Sequence, residues 1–98
     1  MTEEQPMPPK AEFSFFCYSL ASQAMSLLGL APNPVTGKTE KNLEQAKYTI
    51  DILEMLKAKT EGNLDDEETK VLMSLLFDLR MRYVEESRKG SGPAGSEA

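Results

Sequence analysis

The sequence contains no histidine and only one cysteine, Cys17, among its 98 residues. The lack of histidine removes the commonest general base, the usual member of a catalytic triad and the commonest imidazole metal ligand. A single cysteine permits neither an intrachain disulfide nor a cysteine-rich zinc site, which fits a reducing compartment. Because Cys17 falls on an apolar helical face, we interpret it as a buried side chain rather than a nucleophile. We therefore expect no catalytic residue, no cofactor and no metal site.

Concentrated positive charge and long apolar runs are also scarce. The net charge of −5 and the pI near 4.7 argue against nucleic-acid binding, which needs a basic footprint. Arg80, Arg82, Arg88 and Lys89 form only a short basic group, typical of the last turns of a helix. No apolar run reaches the roughly 18 residues of a membrane span, so we expect no stable membrane insertion. The N-terminus is acidic and contains prolines, unlike a signal peptide, which predicts a cytoplasmic protein.

Both ends of the chain have the composition of disordered tails. Residues 1–10 contain three prolines and little to bury, and residues 89–98 consist mainly of glycine, serine and alanine. We predict a single helical domain over residues 11–88.

The clearest helical signal begins at Asn42, which forms the pattern of a capping box with Gln45. The following apolar residues recur at spacings of three and four and share one helical face: Leu43, Ala46, Ile50 and Leu53. The helix should end near Thr60, because Gly62 and Asn63 tolerate the left-handed conformation that closes a helix.

A further helix should start at once, since Asp65 and Glu68 form a second capping pair. Its core face consists of apolar residues at helical spacing: Val71, Leu72, Leu75, Leu76, Leu79 and Tyr83. The connecting turn is short, which predicts an antiparallel helical hairpin.

Upstream, Phe13 to Gly29 has the same spacing and predicts another helix, with a stop at Gly29. Its apolar face is formed by Phe13, Phe16, Cys17, Leu20, Ala21, Ala24, Leu27 and Leu28. Its other side is weakly polar and consists of Ser19, Ser22, Gln23 and Ser26. That side either faces solvent or is covered by a partner subunit. The fold class is thus all-α, a three-helix subunit built around the hairpin.

Both hairpin helices carry more apolar residues than one core face needs. In the last helix a second stripe, divided from the core face by polar residues, consists of Met73, Phe77, Met81 and Val84. The preceding helix has a comparable patch, formed by Tyr48, Ile52 and Met55. Its solvated strip consists of Glu44, Lys47, Asp51 and Glu54. We interpret the second stripe and the Tyr48 patch as an oligomer interface, with a two-fold dimer favoured.

Two segments allow other functions on weaker grounds. The loop at residues 30–41 has glycine and lysine near threonine, but it lacks the upstream glycine and the strand of a phosphate-binding loop. The acidic run at residues 65–68 lacks the alternating oxygen ligands of a calcium loop, and helix capping explains it more simply. Likewise, helix closure explains the polar cluster around Gly62 and Asn63.

Three segments resemble a known family: FSFFCYSLASQAMSLLGLAPNP, NLEQAKYTIDILEMLKAKTEGNL and LLFDLRMRYV. The central pattern IDxLxMLxxKTxGNL, followed by acidic residues, occupies residues 50–64. Together they are similar to a small bacterial all-helical family known as domain of unknown function 1844. The resemblance implies a bacterial cytoplasmic helical protein, and it supplies no activity and no catalytic residue.

These observations favour a non-enzymatic protein that self-associates and has a structural or protein-interaction role. A partner protein's helix on the second stripe is a further possibility. The alternative function is a small-molecule or lipid carrier, with Phe15, Tyr18 and Met25 as walls of an interhelical pocket.

Overall fold

A computed structural model describes residue 8 and residues 10–90. Three helices account for most of this part of the chain, which contains no strand: α1 (Phe13–Leu27), α2 (Leu43–Lys59) and α3 (Asp66–Gly90). The all-α class is therefore confirmed. Most of the two predicted tails lies outside the described residues. Lys89 and Gly90, for which the composition predicts a tail, belong to the end of α3.

Helix α1 begins without help from a side chain and ends at a glycine. The side chain of its N-cap residue, Glu12, makes no capping hydrogen bond, whereas at the other end the amide of Leu30 donates to the carbonyl of Met25 over 3.0 Å. Gly29 has a φ of +81°, a left-handed conformation that favours glycine, so the helix stops there.

The segment between α1 and α2 is irregular but internally hydrogen-bonded. Asn33 Oδ1 accepts from the amide of Val35 over 2.7 Å, and the amide of Asn33 donates to the carbonyl of Lys38 over 2.8 Å. The amide of Asn42 donates to the carbonyl of Leu27 over 2.7 Å. This last bond places the start of α2 beside the end of α1.

One hydrophobic core lies where the three helices meet, and each helix packs against the other two. Its buried members come from all three helices and from the residue that follows α1: Cys17, Ala21, Ala24, Leu28, Ala46, Ile50, Leu53, Leu72, Leu76 and Leu79. These residues follow the spacing of three and four predicted from the sequence. Alanines at the α1 and α2 contacts take little room, which lets the helices approach closely.

Two assignments on α1 were wrong. Phe16, placed on the core face, is 49% exposed, because it lies about 100° around the helix from Cys17, at the border of that face. Ser26, placed on the polar side, is buried in the last turn, where the chain folds back and the amide of Gly29 donates to its carbonyl.

Candidate interaction surface

Helix α3 exposes four large apolar side chains to solvent, and they lie in a single line along the helix. The members of the second stripe are 48–67% exposed: Phe77 67%, Met81 57%, Met73 52% and Val84 48%. They are adjacent because spacings of three and four residues return to the same side of a helix. The core-facing leucines of α3 hold the helix in place, so the backbone presents this stripe outward.

Ion pairs border the second stripe on both flanks. Arg80 pairs across to Glu54 of α2, and Arg82 Nε donates to Asp78 Oδ2 over 2.9 Å within α3. Glu54, assigned to the solvated strip of α2, is therefore half-buried and joins two helices. Asp51 pairs within α2, with Lys47 at 3.1 Å. Asp78, Arg80 and Arg82 are thus already paired inside the subunit.

The Tyr48 patch lies apart from the second stripe. Tyr48 and Met55 are 62% and 47% exposed, while Ile52 is half-buried. Both exposed residues lie about 100–120° around α2 from Glu54, the residue that contacts α3. The seven residues predicted as one interface consequently form two surfaces.

Helix ends and turns are closed by the residues expected to cap them. Asn42 Oδ1 accepts from the amide of Gln45 over 3.1 Å. Asp65 Oδ1 accepts from the amide of Glu68 over 2.7 Å, and Glu68 Oε1 accepts from the amide of Asp65 over 3.0 Å. Between these helices Gly62 has a φ of +89°, and the amide of Asn63 donates to the carbonyl of Thr60. The Asp65–Glu68 cap is thus reciprocal, whereas Gln45 takes part in the Asn42 cap through its backbone amide.

A buried carboxylate near the end of α3 escaped the sequence reasoning. Glu86 is 5% exposed, and its two oxygens accept from Lys41 Nζ over 2.8 Å and from Lys89 Nζ over 3.1 Å. These two hydrogen bonds hold the pKa of Glu86 below its ordinary value of 4.5. Glu86 lies seven residues beyond the buried Leu79, close to two helical turns, and that spacing is the signal that would have found it.

Chemical groups outside these contacts offer little reactivity. Burial, followed by the negative charge of Glu68, raises the pKa of the Cys17 thiol, which disfavours the nucleophilic thiolate. Among the described residues no cluster of three or more histidine, cysteine, aspartate or glutamate side chains is arranged to hold a metal ion. Within the same part of the chain, no helix is long and apolar enough to cross a membrane.

A cavity of about 380 Å³ opens between α2 and α3 near their connecting turn. Its walls combine apolar side chains, including Leu64, Leu72 and Met73, with polar ones, including Lys57 and Thr69. Phe15, Tyr18 and Met25, predicted as walls of an interhelical pocket, are not among its lining residues. Phe15 instead lines a shallow depression beside Phe13 and Phe16 at the start of α1.

These features define a small all-helical protein whose most prominent candidate site is an apolar surface on one helix. The chain belongs to the family described as domain of unknown function (DUF1844), whose profile matches residues 10–85. No curated protein and no solved structure matches the chain. Membership of this family therefore identifies neither an activity nor a ligand.

Proposed function

We propose that this chain is a non-enzymatic, cytoplasmic helical subunit that assembles with copies of itself through the second stripe of α3 and serves a structural or protein-interaction role. The observation that carries the proposal is the exposure of Met73, Phe77, Met81 and Val84 in one line, next to a core that is already complete. A contiguous apolar surface of this kind is characteristic of interaction sites.

The free energy available from covering the stripe is substantial. Full burial of a large apolar side chain contributes about 1.5–3 kcal/mol, so four side chains at roughly half exposure retain about 3–6 kcal/mol per subunit. Two subunits contribute this amount twice. Three of the side chains are long or flexible enough to repack against a partner, and methionine is especially adaptable.

Within the subunit, we propose that α2 and α3 form an antiparallel hairpin. Lys41, just before α2, reaches Glu86 near the end of α3, and Glu54 in the second half of α2 pairs with Arg80. The six-residue connection from Thr60 to Asp65 is short enough for adjacent antiparallel helices. The hairpin makes the second stripe a rigid surface.

The experiment is light scattering with analytical ultracentrifugation over a dilution series. We expect the natural chain to associate and Phe77→Asp to shift it toward monomer without loss of helical circular dichroism, because Phe77 is outside the core. Tyr48→Asp is the matched control, since it places the same charge on the separate Tyr48 patch. A natural chain that stays monomeric at every concentration contradicts the proposal, and a monomer produced only by Tyr48→Asp moves the interface to α2.

The cavity between α2 and α3 supports a second candidate function, a small-molecule carrier. Its volume of about 380 Å³ lies in the range typical of ligand pockets, about 300–1,000 Å³. Native mass spectrometry of the purified protein would show a co-purified ligand, and Leu64→Trp should displace it by filling the cavity. A bare mass at every preparation contradicts the carrier function.

A further inference from the structure

The second stripe of α3 continues into charged residues at both ends. At about 100° per residue, the line through Met73, Phe77 and Val84 passes Asp66 near the start of the helix and Arg88 near its end. Arg88 also lines the same shallow concave surface as Phe77, Met81 and Val84. Both charged side chains are exposed, and neither forms an ion pair with another side chain of the described residues.

This arrangement is symmetric about Phe77. Met73 and Met81 lie four residues to either side of Phe77, Lys70 and Val84 lie seven, and Asp66 and Arg88 lie eleven. Steps of four, seven and eleven residues approximate one, two and three helical turns, so all these positions stay on one side of α3. A second copy rotated by a two-fold axis through Phe77 therefore presents the matching residue at every position.

We propose that two copies of α3 pair antiparallel about a two-fold axis at Phe77, and that an Asp66–Arg88 ion pair closes each end of the contact. This proposal rests on the self-association proposed above and specifies its partner and register. Met73 of each copy packs on Met81 of the other, and the stem of Lys70 covers Val84. Antiparallel helices also oppose their dipoles favourably.

Repulsion between like charges disfavours a shifted antiparallel pair and a parallel pair. If the two-fold axis is moved about half a turn along α3, to the level of Leu79, Lys70 of one copy lies opposite Arg88 of the other. Two cations then face each other at both ends of the contact. A parallel pair places Asp66 on Asp66 and Arg88 on Arg88. The bordering carboxylates Glu54 and Asp78 are already matched by arginines within the subunit, so they do not favour another register.

Disulfide trapping tests the register directly. In a Cys17→Ala background, a Met73→Cys chain is mixed with a Met81→Cys chain of different mass and oxidised. We expect the mixed disulfide to exceed both homodisulfides, because facing residues alone bring their Cα atoms within about 4.4–6.8 Å. Predominant homodisulfides in a protein that still dimerises overturn the register while the self-association stands.

Charge reversal tests the end contacts. Asp66→Arg and Arg88→Asp should each raise the dimer dissociation constant by about tenfold, because each reversal replaces two attractions by two repulsions. The double reversal should return it to within about threefold of the natural value. Glu67→Arg, in the same turn but outside the stripe, is the control for helix-dipole effects and should stay within about threefold.

The outcomes separate the two proposals. If the double reversal dimerises no better than the worse single variant, the Asp66–Arg88 contact is wrong although the protein self-associates. If the natural chain is monomeric throughout the dilution series, the register and the proposed function are both wrong.

Discussion

On one side of α3, Leu72, Leu76 and Leu79 are at most 2% exposed, whereas on another side Met73, Phe77 and Met81 are 52–67% exposed. Both sides have apolar residues at the same helical spacing. They differ because α1 and α2 pack against only one of them. Periodicity thus identifies an apolar side of a helix, and the number of neighbouring helices decides whether that side is buried within the subunit.

The largest expected effect is on the free energy of unfolding, when one residue from each side of α3 is replaced by alanine. Leu76→Ala should lower the free energy of unfolding by about 2–5 kcal/mol, because it leaves a cavity in a closed core. Phe77→Ala should change it by no more than about 0.5 kcal/mol when the protein is diluted enough to be monomeric. Urea denaturation followed by circular dichroism measures both. Equal losses would mean that Phe77 belongs to the subunit's own core.

The buried side of α3 also carries one charged side chain, Glu86, and Glu86→Gln removes that charge while keeping the size of the side chain. We expect a loss of about 1.5–3 kcal/mol, because the neutral amide gives up charge-assisted hydrogen bonds from Lys41 and Lys89. Glu85→Gln, at the exposed neighbouring position, is the matched control and should be nearly neutral.

The same contact predicts a pH dependence. The folded pKa of Glu86 lies below its ordinary value of 4.5, so its contribution is fully present above that pH and is lost as the pH falls through the folded pKa. The difference in unfolding free energy between the natural chain and Glu86→Gln should therefore shrink in acid below about pH 4.5. A constant difference from pH 7 to pH 3 would contradict the role of the carboxylate.

Local patterns predicted much of the fold. Periodicity identified core residues such as Leu53 and Leu76, and short-range hydrogen-bonding chemistry identified Asn42 and Asp65 as caps. Hydrophobic periodicity missed the buried polar residues, because it considers only apolar side chains. Glu86 has the spacing of a core position, but its partner Lys41 is distant in sequence. Thr49 is 1% exposed and bonds the carbonyl of Gln45 within its own helix, a bond that leaves no trace in hydrophobic periodicity.

The candidate site was predicted residue by residue but not as a surface. The spacing of Met73 and Phe77, and of Tyr48 and Met55, follows from single helices. Whether two stripes join depends on how the helices are rotated against each other. The Glu54–Arg80 pair reveals that rotation, and sequence alone could not assign it.

A smaller effect tests the end of the bundle where all three helices are linked. A Cβ on Gly29 would lie 3.2 Å from Lys41 Cβ, and the backbone there has a φ of +81°. Gly29→Ala should therefore cost more than the roughly 1–2 kcal/mol of left-handed strain alone. Gly37→Ala is the control, since Gly37 has a φ of +74° but no atom within 4 Å of the added Cβ. Equal melting temperatures of the two variants would show that the Lys41 side chain moves aside without a cost in stability.

The smallest expected effect distinguishes closure of a helix end from association. Asp65→Ala removes the acceptor for the amide of Glu68 and should cost about 0.5–2 kcal/mol of stability. Glu67→Ala, two residues further along the same first turn and outside the Asp65–Glu68 cap, should cost less, because it loses only a favourable interaction with the helix dipole. Neither variant should alter stoichiometry, since neither residue belongs to the second stripe. A dimer weakened by Asp65→Ala would mean that the interface reaches beyond Asp66 to the capping residue itself.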